Sequence, residues 1–216
     1  MSLNRAELLQ AAAVAYRNIV EMGLGNALAT ANYSEERRQQ GLLRVTDLQT
    51  KLEAQQETKG TQLTLTRQIA VALSAGREDF KGLKQAVRTA DRLDSADYYT
   101  QLNLKGRTPT SYSGFVALAK TVYANLLAAP EIIAALGTAY TQETITQRAE
   151  AITDLETLNS QQEQAKGEYQ GFTRQVEALE KAVTADLKTL KAVVRTVYPD
   201  PAEQGQILRA LQLEKV

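Results

Sequence analysis

Residues 47–89 read DLQTKLEAQQETKGTQLTLTRQIAVALSAGREDFKGLKQAVRT, and residues 154–196 read DLETLNSQQEQAKGEYQGFTRQVEALEKAVTADLKTLKAVVRT. Laid over one another at an offset of 107 residues, without a gap, they share Asp47/Asp154, Leu48/Leu155, Lys59/Lys166, Gly60/Gly167, Asp79/Asp186, Leu83/Leu190 and Val87/Val194, and the whole of Thr66-Arg67-Gln68 and Thr173-Arg174-Gln175. The register continues upstream, where Ala12, Tyr16, Asn18, Ala27 and Tyr33 fall on Ala119, Tyr123, Asn125, Ala134 and Tyr140. Downstream it slips by one residue and resumes with Asp94, Ala96 and Asp97 over Asp200, Ala202 and Glu203. The apolar positions inside the quoted stretch recur every three or four residues, the spacing of a helical face. The sequence therefore predicts an all-α fold: a tandem duplication of a multi-helix unit of roughly 107 residues, packed as a pseudo-two-fold bundle with long antiparallel helices. The boundaries read as a first repeat over 1–104, a linker over 105–114 and a second repeat over 115–216.

Each repeat reads as four helices. The first runs from Asn4 to Met22, stopped by Gly23 and Gly25, and its counterpart runs from Ser113 to Ala128, stopped at Pro130. The second spans Asn26 to Thr58 and Glu131 to Lys166, bending near Tyr33 and Tyr140. The third spans Gln62 to Ala90 and Glu168 to Val197. The second and third helices could also run together as one helix, but each polar gap between them ends in Lys-Gly, at Lys59-Gly60 and Lys166-Gly167. Lysine in a last turn followed by glycine signals a helix C-terminus, so an antiparallel hairpin is expected there. The fourth helix opens at Asp200-Pro201-Ala202-Glu203, an acceptor at the N-cap, proline at the first helical position and glutamate at the third; Asp94-Ser95-Ala96-Asp97 starts a shorter version through Leu104. Residues 105–114, KGRTPTSYSG, form the cluster of turn residues between the repeats.

Composition excludes much chemistry. The 216 residues contain neither histidine nor cysteine. A Ser-His-Asp triad, thiol catalysis, zinc sites built on Cys or His, and disulfides are thereby ruled out. No cofactor and no metal is expected. Formal net charge is zero, from 25 basic and 25 acidic side chains, which argues against a nucleic-acid partner. Residues 1–107 nevertheless carry 15 basic and 12 acidic groups and residues 108–216 carry 10 and 13, so the halves are +3 and −3. Phe115 to Leu136 is the most apolar stretch, but Lys120, Asn125, Pro130 and Glu131 interrupt it and mark a buried helix pair instead of a membrane span. No secretory leader is read at the N-terminus, and a cytoplasmic protein is expected.

Three repeated constellations remain. Lys81, Lys84 and Arg88 recur as Lys188, Lys191 and Arg195, aligned along a helical face by spacings of three and four. Such a stripe can bind an acidic surface or an anion, or simply serve the helix dipole and solvate an outer face. Arg67 and Arg174 can fork onto a carboxylate, with Asp47 and Asp154 as partners across the expected hairpin, or clamp an anion. The tyrosines at 16/123 and 33/140 suit a core or the rim of a pocket. The function these features predict is non-catalytic: a helical interaction or scaffold protein acting through protein partners or self-association. The alternative is a small-ligand or anion-binding bundle, and less favoured still is an enzyme working with Tyr, Lys, Arg and carboxylates alone.

Overall fold

A computed structural model describes residues 3–94 and 97–216. Among them there are helices and no strands: α1 (Arg5–Glu21), α2 (Gly25–Ala29), α3 (Glu35–Asp94), α4 (Tyr98–Gln101), α5 (Tyr112–Leu127), α6 (Pro130–Ala135), α7 (Gln142–Val197) and α8 (Pro201–Ala210). No helix among the described residues is long and apolar enough to cross a membrane.

The local signals explain most boundaries. Asn4 caps α1 reciprocally: its side chain accepts the Glu7 amide at 3.0 Å, and the Glu7 carboxylate accepts the Asn4 amide at 2.9 Å. The helix ends where Gly23 turns to φ +66°, letting the Leu24 amide reach Ile19 O and the Gly23 amide reach Val20 O. Ser111 caps α5, and Asp200 caps α8 by accepting the amides of Ala202 and Glu203. The matching start at Asp94-Ser95-Ala96-Asp97 includes residues 95 and 96, which lie outside the described residues. Where bends were expected near Tyr33 and Tyr140, the chain breaks completely. Asn32 at φ +62° separates α2 from α3, and Gly137 at φ +86° separates α6 from α7.

The expected hairpin is corrected. Lys59-Gly60 lies inside α3, which is continuous for 60 residues, and Lys166-Gly167 lies inside α7, continuous for 56. Glycine ends a helix by adopting the left-handed conformation and handing the last carbonyls new partners. Neither Gly60 nor Gly167 has a positive φ. Each costs roughly 1 kcal/mol against alanine as a helix-interior residue, too little to outweigh helix continuity once another helix covers the apolar stripe. Each long helix finds that partner in the other, not in a folded-back part of itself.

The chain divides into two compact units, residues 1–59 with 167–216 and residues 60–166. In the first unit the early part of α3 pairs with the late part of α7: Arg44 binds Asp186, and the Gln55 amide donates to Thr173 Oγ1 at 2.8 Å. The number on one helix rises as the other falls, so they run antiparallel. Against them pack Leu8, Ala12, Tyr16 and Ile19 of α1, Leu28 of α2, and Ile207 and Leu208 of α8. Asn18 of α1 donates to Ala210 O at 2.7 Å, tying α1 to the end of α8.

In the second unit the late part of α3 pairs with the early part of α7, where the Gln162 amide donates to Thr66 Oγ1 at 2.7 Å. Its core joins Phe80, Leu83 and Val87 to Phe115, Ala119, Tyr123 and Leu126 of α5, Ile132 of α6 and Ile152 of α7. Phe80 meets Phe115 and Tyr123 edge to face, at ring separations of 5.7 and 6.3 Å. Asn125 of α5 donates to Gln101 O at the end of α4.

Candidate anion-binding cleft

The cleft lies in the second unit, between the last turns of α3 and the loop leading into α5. It is open, with a volume of about 780 Å³, and its chemistry comes from Arg77, Lys81, Lys84 and Arg88 on the helix and Thr108 and Thr110 on the loop. Spacings of four, three and four put the cations on one face; Arg77 and Lys84 hold the opposite wall, and Arg88 holds α4. Arg77 donates through Nη2 to Thr110 O at 2.5 Å, and its guanidinium lies 5.5 Å from the Phe115 ring. Lys84 Nζ donates to Gly106 O at 3.2 Å and to Thr108 Oγ1 at 3.4 Å. Arg88 donates to Tyr99 Oη at 3.2 Å, with Lys84 and Arg88 standing 5.7 and 5.3 Å from the Tyr99 ring. Tyr99 is itself fixed, because Asp91 accepts the Tyr98 and Tyr99 amides at 2.7 and 3.1 Å and so starts α4.

The acceptors used by Arg77, Lys84 and Arg88 are carbonyls, a hydroxyl and a phenol, all uncharged. Among the lining residues only Glu78 carries negative charge. It faces Lys81 at 3.4 Å with both side chains over 70% exposed, a pairing that solvent makes nearly worthless. The cleft therefore concentrates positive charge on a chain whose total is zero.

The second copy of the stripe has a different setting. Lys191 donates at 2.9 Å to both Glu214 O and Val216 O, and burial, followed by the nearby Arg195, lowers its pKa. Lys188 lies in an open groove of the first unit with Glu177, Glu180, Lys181 and Thr184, where lysines and glutamates balance. Arg195 is exposed at the end of α7. The helix thus brings Lys81, Lys84 and Arg88 together with Arg77, which a search for repeated residues misses because residue 184 is threonine. The one available signal was its position one turn before Lys81.

Arg67 and Arg174 occupy exposed positions on α3 and α7, and ion pairs with Asp47 and Asp154 do not form. That pairing required the hairpin. On a continuous helix Asp47 and Arg67 are more than five turns apart in register. In each Thr-Arg-Gln it is the threonine that reaches across, Thr66 and Thr173 accepting the helix-to-helix bonds.

The tyrosines belong to the cores. Tyr16 is fully buried with its hydroxyl unpartnered, and burial raises its pKa to about 12; burial also raises Tyr33, and takes Tyr123 to about 12. The Arg44–Asp186 pair acts on Tyr16, while in the other unit Arg148 stands 4.9 Å from the Tyr140 ring. Gly41 makes room in the first unit, since a β-carbon there would lie 2.5 Å from the Tyr16 ring. Among the described residues no three acidic side chains cluster in a way that could hold a metal ion. No known protein family, curated protein or solved structure matches the chain.

Proposed function

We propose that this chain is a duplicated helical scaffold, its repeats related by an internal pseudo-two-fold axis and exchanging halves through an antiparallel coiled coil of α3 and α7. The support is that equivalent contacts recur at the 107-residue offset. Gln55 to Thr173 becomes Gln162 to Thr66, Asn18 and Asn125 both tie the start of a repeat to the end of a short helix, and Lys191 and Lys84 both hold a C-terminal tail. Each compact unit then takes three helical segments from the start of one repeat and two from the end of the other: α1, α2 and early α3 with late α7 and α8, and α5, α6 and early α7 with late α3 and α4.

On this frame the protein acts in the cytoplasm by binding and not by catalysis, and the cationic cleft is its partner surface. One observation carries the reading: the cleft cations Arg77, Lys84 and Arg88 satisfy themselves on neutral acceptors, leaving their charge uncompensated. The groups with the most disturbed proton affinity, Tyr16, Tyr33 and Tyr123, lie in the cores and away from any open surface. A bundle that binds a free small anion is the second reading. The concavity of the cleft, walled by Thr108 and Thr110, favours it. Salt-dependent retention on an immobilised sulfated polysaccharide tests both. The native chain should be held at about 50 mM salt and released by about 200 mM. Lys81→Glu with Arg88→Glu should flow through, and Lys188→Glu with Arg195→Glu should behave as the native chain. Loss of retention in the last variant, or no retention of the native chain, would sink the proposal.

A further inference from the structure

We propose that the cleft of the second unit is a site for a linear oligophosphate, an anion carrying several consecutive phosphoryl groups. The inference rests on the anion-binding reading and names the ligand class. The cleft differs in charge from the corresponding face of the first unit. At the 107-residue offset, Glu177, Glu180 and Thr184 stand opposite Ala70, Leu73 and Arg77. Two glutamates exchanged for neutral residues and a threonine for arginine add three positive charges, Lys181 opposite Ser74 and Ala185 opposite Glu78 take back two, and the α3 face is left one charge more positive. Lys81 and Lys188 are common to both, so it is the neighbours, not the repeated stripe, that create the site.

The donor inventory points to phosphoryl oxygens. A lysine ammonium has three N–H donors and an arginine guanidinium five. Lys84 uses two on Gly106 O and Thr108 Oγ1, and Arg88 uses one on Tyr99. The Thr108 hydroxyl accepts from Lys84 and keeps its own proton to donate. Against these donors the lining offers one carboxylate, Glu78. A site rich in donors and poor in acceptors suits a ligand that only accepts, and guanidinium, ammonium and hydroxyl together are the usual partners of phosphoryl oxygens.

Shape fixes the number of phosphoryl groups and their source. From Arg77 to Arg88 the stripe advances eleven residues, roughly 16 Å along the axis at 1.5 Å per residue, further than one tetrahedral anion reaches. The loop wall at Thr108 and Thr110 makes the stripe the floor of a cleft and not a flat cationic face, which suits a free chain better than a membrane plane. Tyr99 is engaged by Lys84 and Arg88, and Phe80 and Phe115 are buried in the core, so none of these rings is a platform for stacking a base. The recognised chemistry is thus the phosphoryl chain itself.

Isothermal titration of the full chain with inorganic triphosphate at about 50 mM salt tests this. We expect one site per chain, at least tenfold tighter than for orthophosphate and weakening as salt is raised. Lys81→Gln with Arg88→Gln should weaken binding tenfold or more, while Lys188→Gln with Arg195→Gln should leave it within twofold. Should the double variant melt early, Lys81→Gln alone gives the same test, because that side chain is 79% exposed. Three results would overturn the assignment: equal binding of orthophosphate and triphosphate; cleft-dependent sedimentation with vesicles bearing a multiply phosphorylated inositol lipid but no triphosphate binding; or tighter binding of duplex DNA at the same salt. Absent triphosphate binding with the polysaccharide retention intact would reject the ligand and spare the broader reading.

Discussion

Replacing Gly60 and Gly167 by alanine separates a continuous helix from a hairpin by the sign of one number. Both glycines have ordinary helical φ, and a β-carbon at either would meet nothing within 4 Å. Because the added methyl groups project into open space, the change reduces to intrinsic helix preference, about 0.8–1.0 kcal/mol in favour of alanine at each site. Summed over the two sites, the double variant should be stabilised by roughly 1.6–2 kcal/mol. For a chain of this length each kcal/mol moves Tm by about 2–4 °C, giving a rise of roughly 3–8 °C. Gly23→Ala supplies the opposite sign, because Gly23 sits at φ +66°, where a β-carbon costs roughly 1–2 kcal/mol. Thermal melts followed by far-UV circular dichroism, with urea midpoints as a check, read all three. If Lys59-Gly60 or Lys166-Gly167 ended a helix, its alanine variant would lose stability as Gly23→Ala does. A lowered Tm at either position refutes the continuous helices.

Alkaline pH should weaken the fold through the buried tyrosines. Tyr16 and Tyr123 are raised from 10.0 to about 12, so their contribution is fully present below pH 10 and is lost as pH climbs towards 12, when the unfolded phenols ionise first. Urea midpoints should therefore fall across that window and fall less steeply in Tyr16→Phe with Tyr123→Phe; an unchanged slope would contradict the assignment. If the repeats exchange halves, residues 1–107 expressed alone should associate into a dimer that rebuilds a unit from two chains. Sedimentation of that fragment as a helical monomer would argue against the exchange.

The elements legible in the sequence are those set by local chemistry. Asn4 and Asp200 cap helices by presenting an acceptor to nearby amides, Pro130 starts one, and Gly23 ends one through a conformation that other residues resist. Lys59-Gly60 carries the same letters as a terminus but lacks a cause, since whether a glycine caps depends on what the following chain can pack against. That choice is made by α7, more than a hundred residues away, and no local pattern contains it. The site divides likewise. Lys81, Lys84 and Arg88 were visible because they repeat, whereas Arg77 and the absence of counterparts to Glu177 and Glu180 became meaningful only once the face of α3 was assembled.

At the 107-residue offset one structural requirement is met by different residues, and the tyrosine surroundings illustrate how. Position 41 is glycine and position 44 arginine in the first copy, while at the 107-residue offset position 148 is arginine and position 151 alanine. The cation near the tyrosines stands one helical turn earlier in the second unit, and a small residue occupies the turn that carries it in the first. In the first unit Gly41 admits the Tyr16 ring and Arg44 binds Asp186; in the second Arg148 covers the Tyr140 ring. Each core keeps a positive charge beside its phenols without spending two turns of helix on it. The basic stripes diverge by the same route with the opposite result. Lys84 and Lys191, at equivalent positions, each pin a following segment by donating to its carbonyls. At the flanking positions the first unit has Glu177 and Glu180, the latter bound to Arg5, while the second has Arg77. The lysine that pins the tail is shared by the two units and the charges around it differ, which is why the cationic cleft belongs to the second unit and the balanced groove to the first.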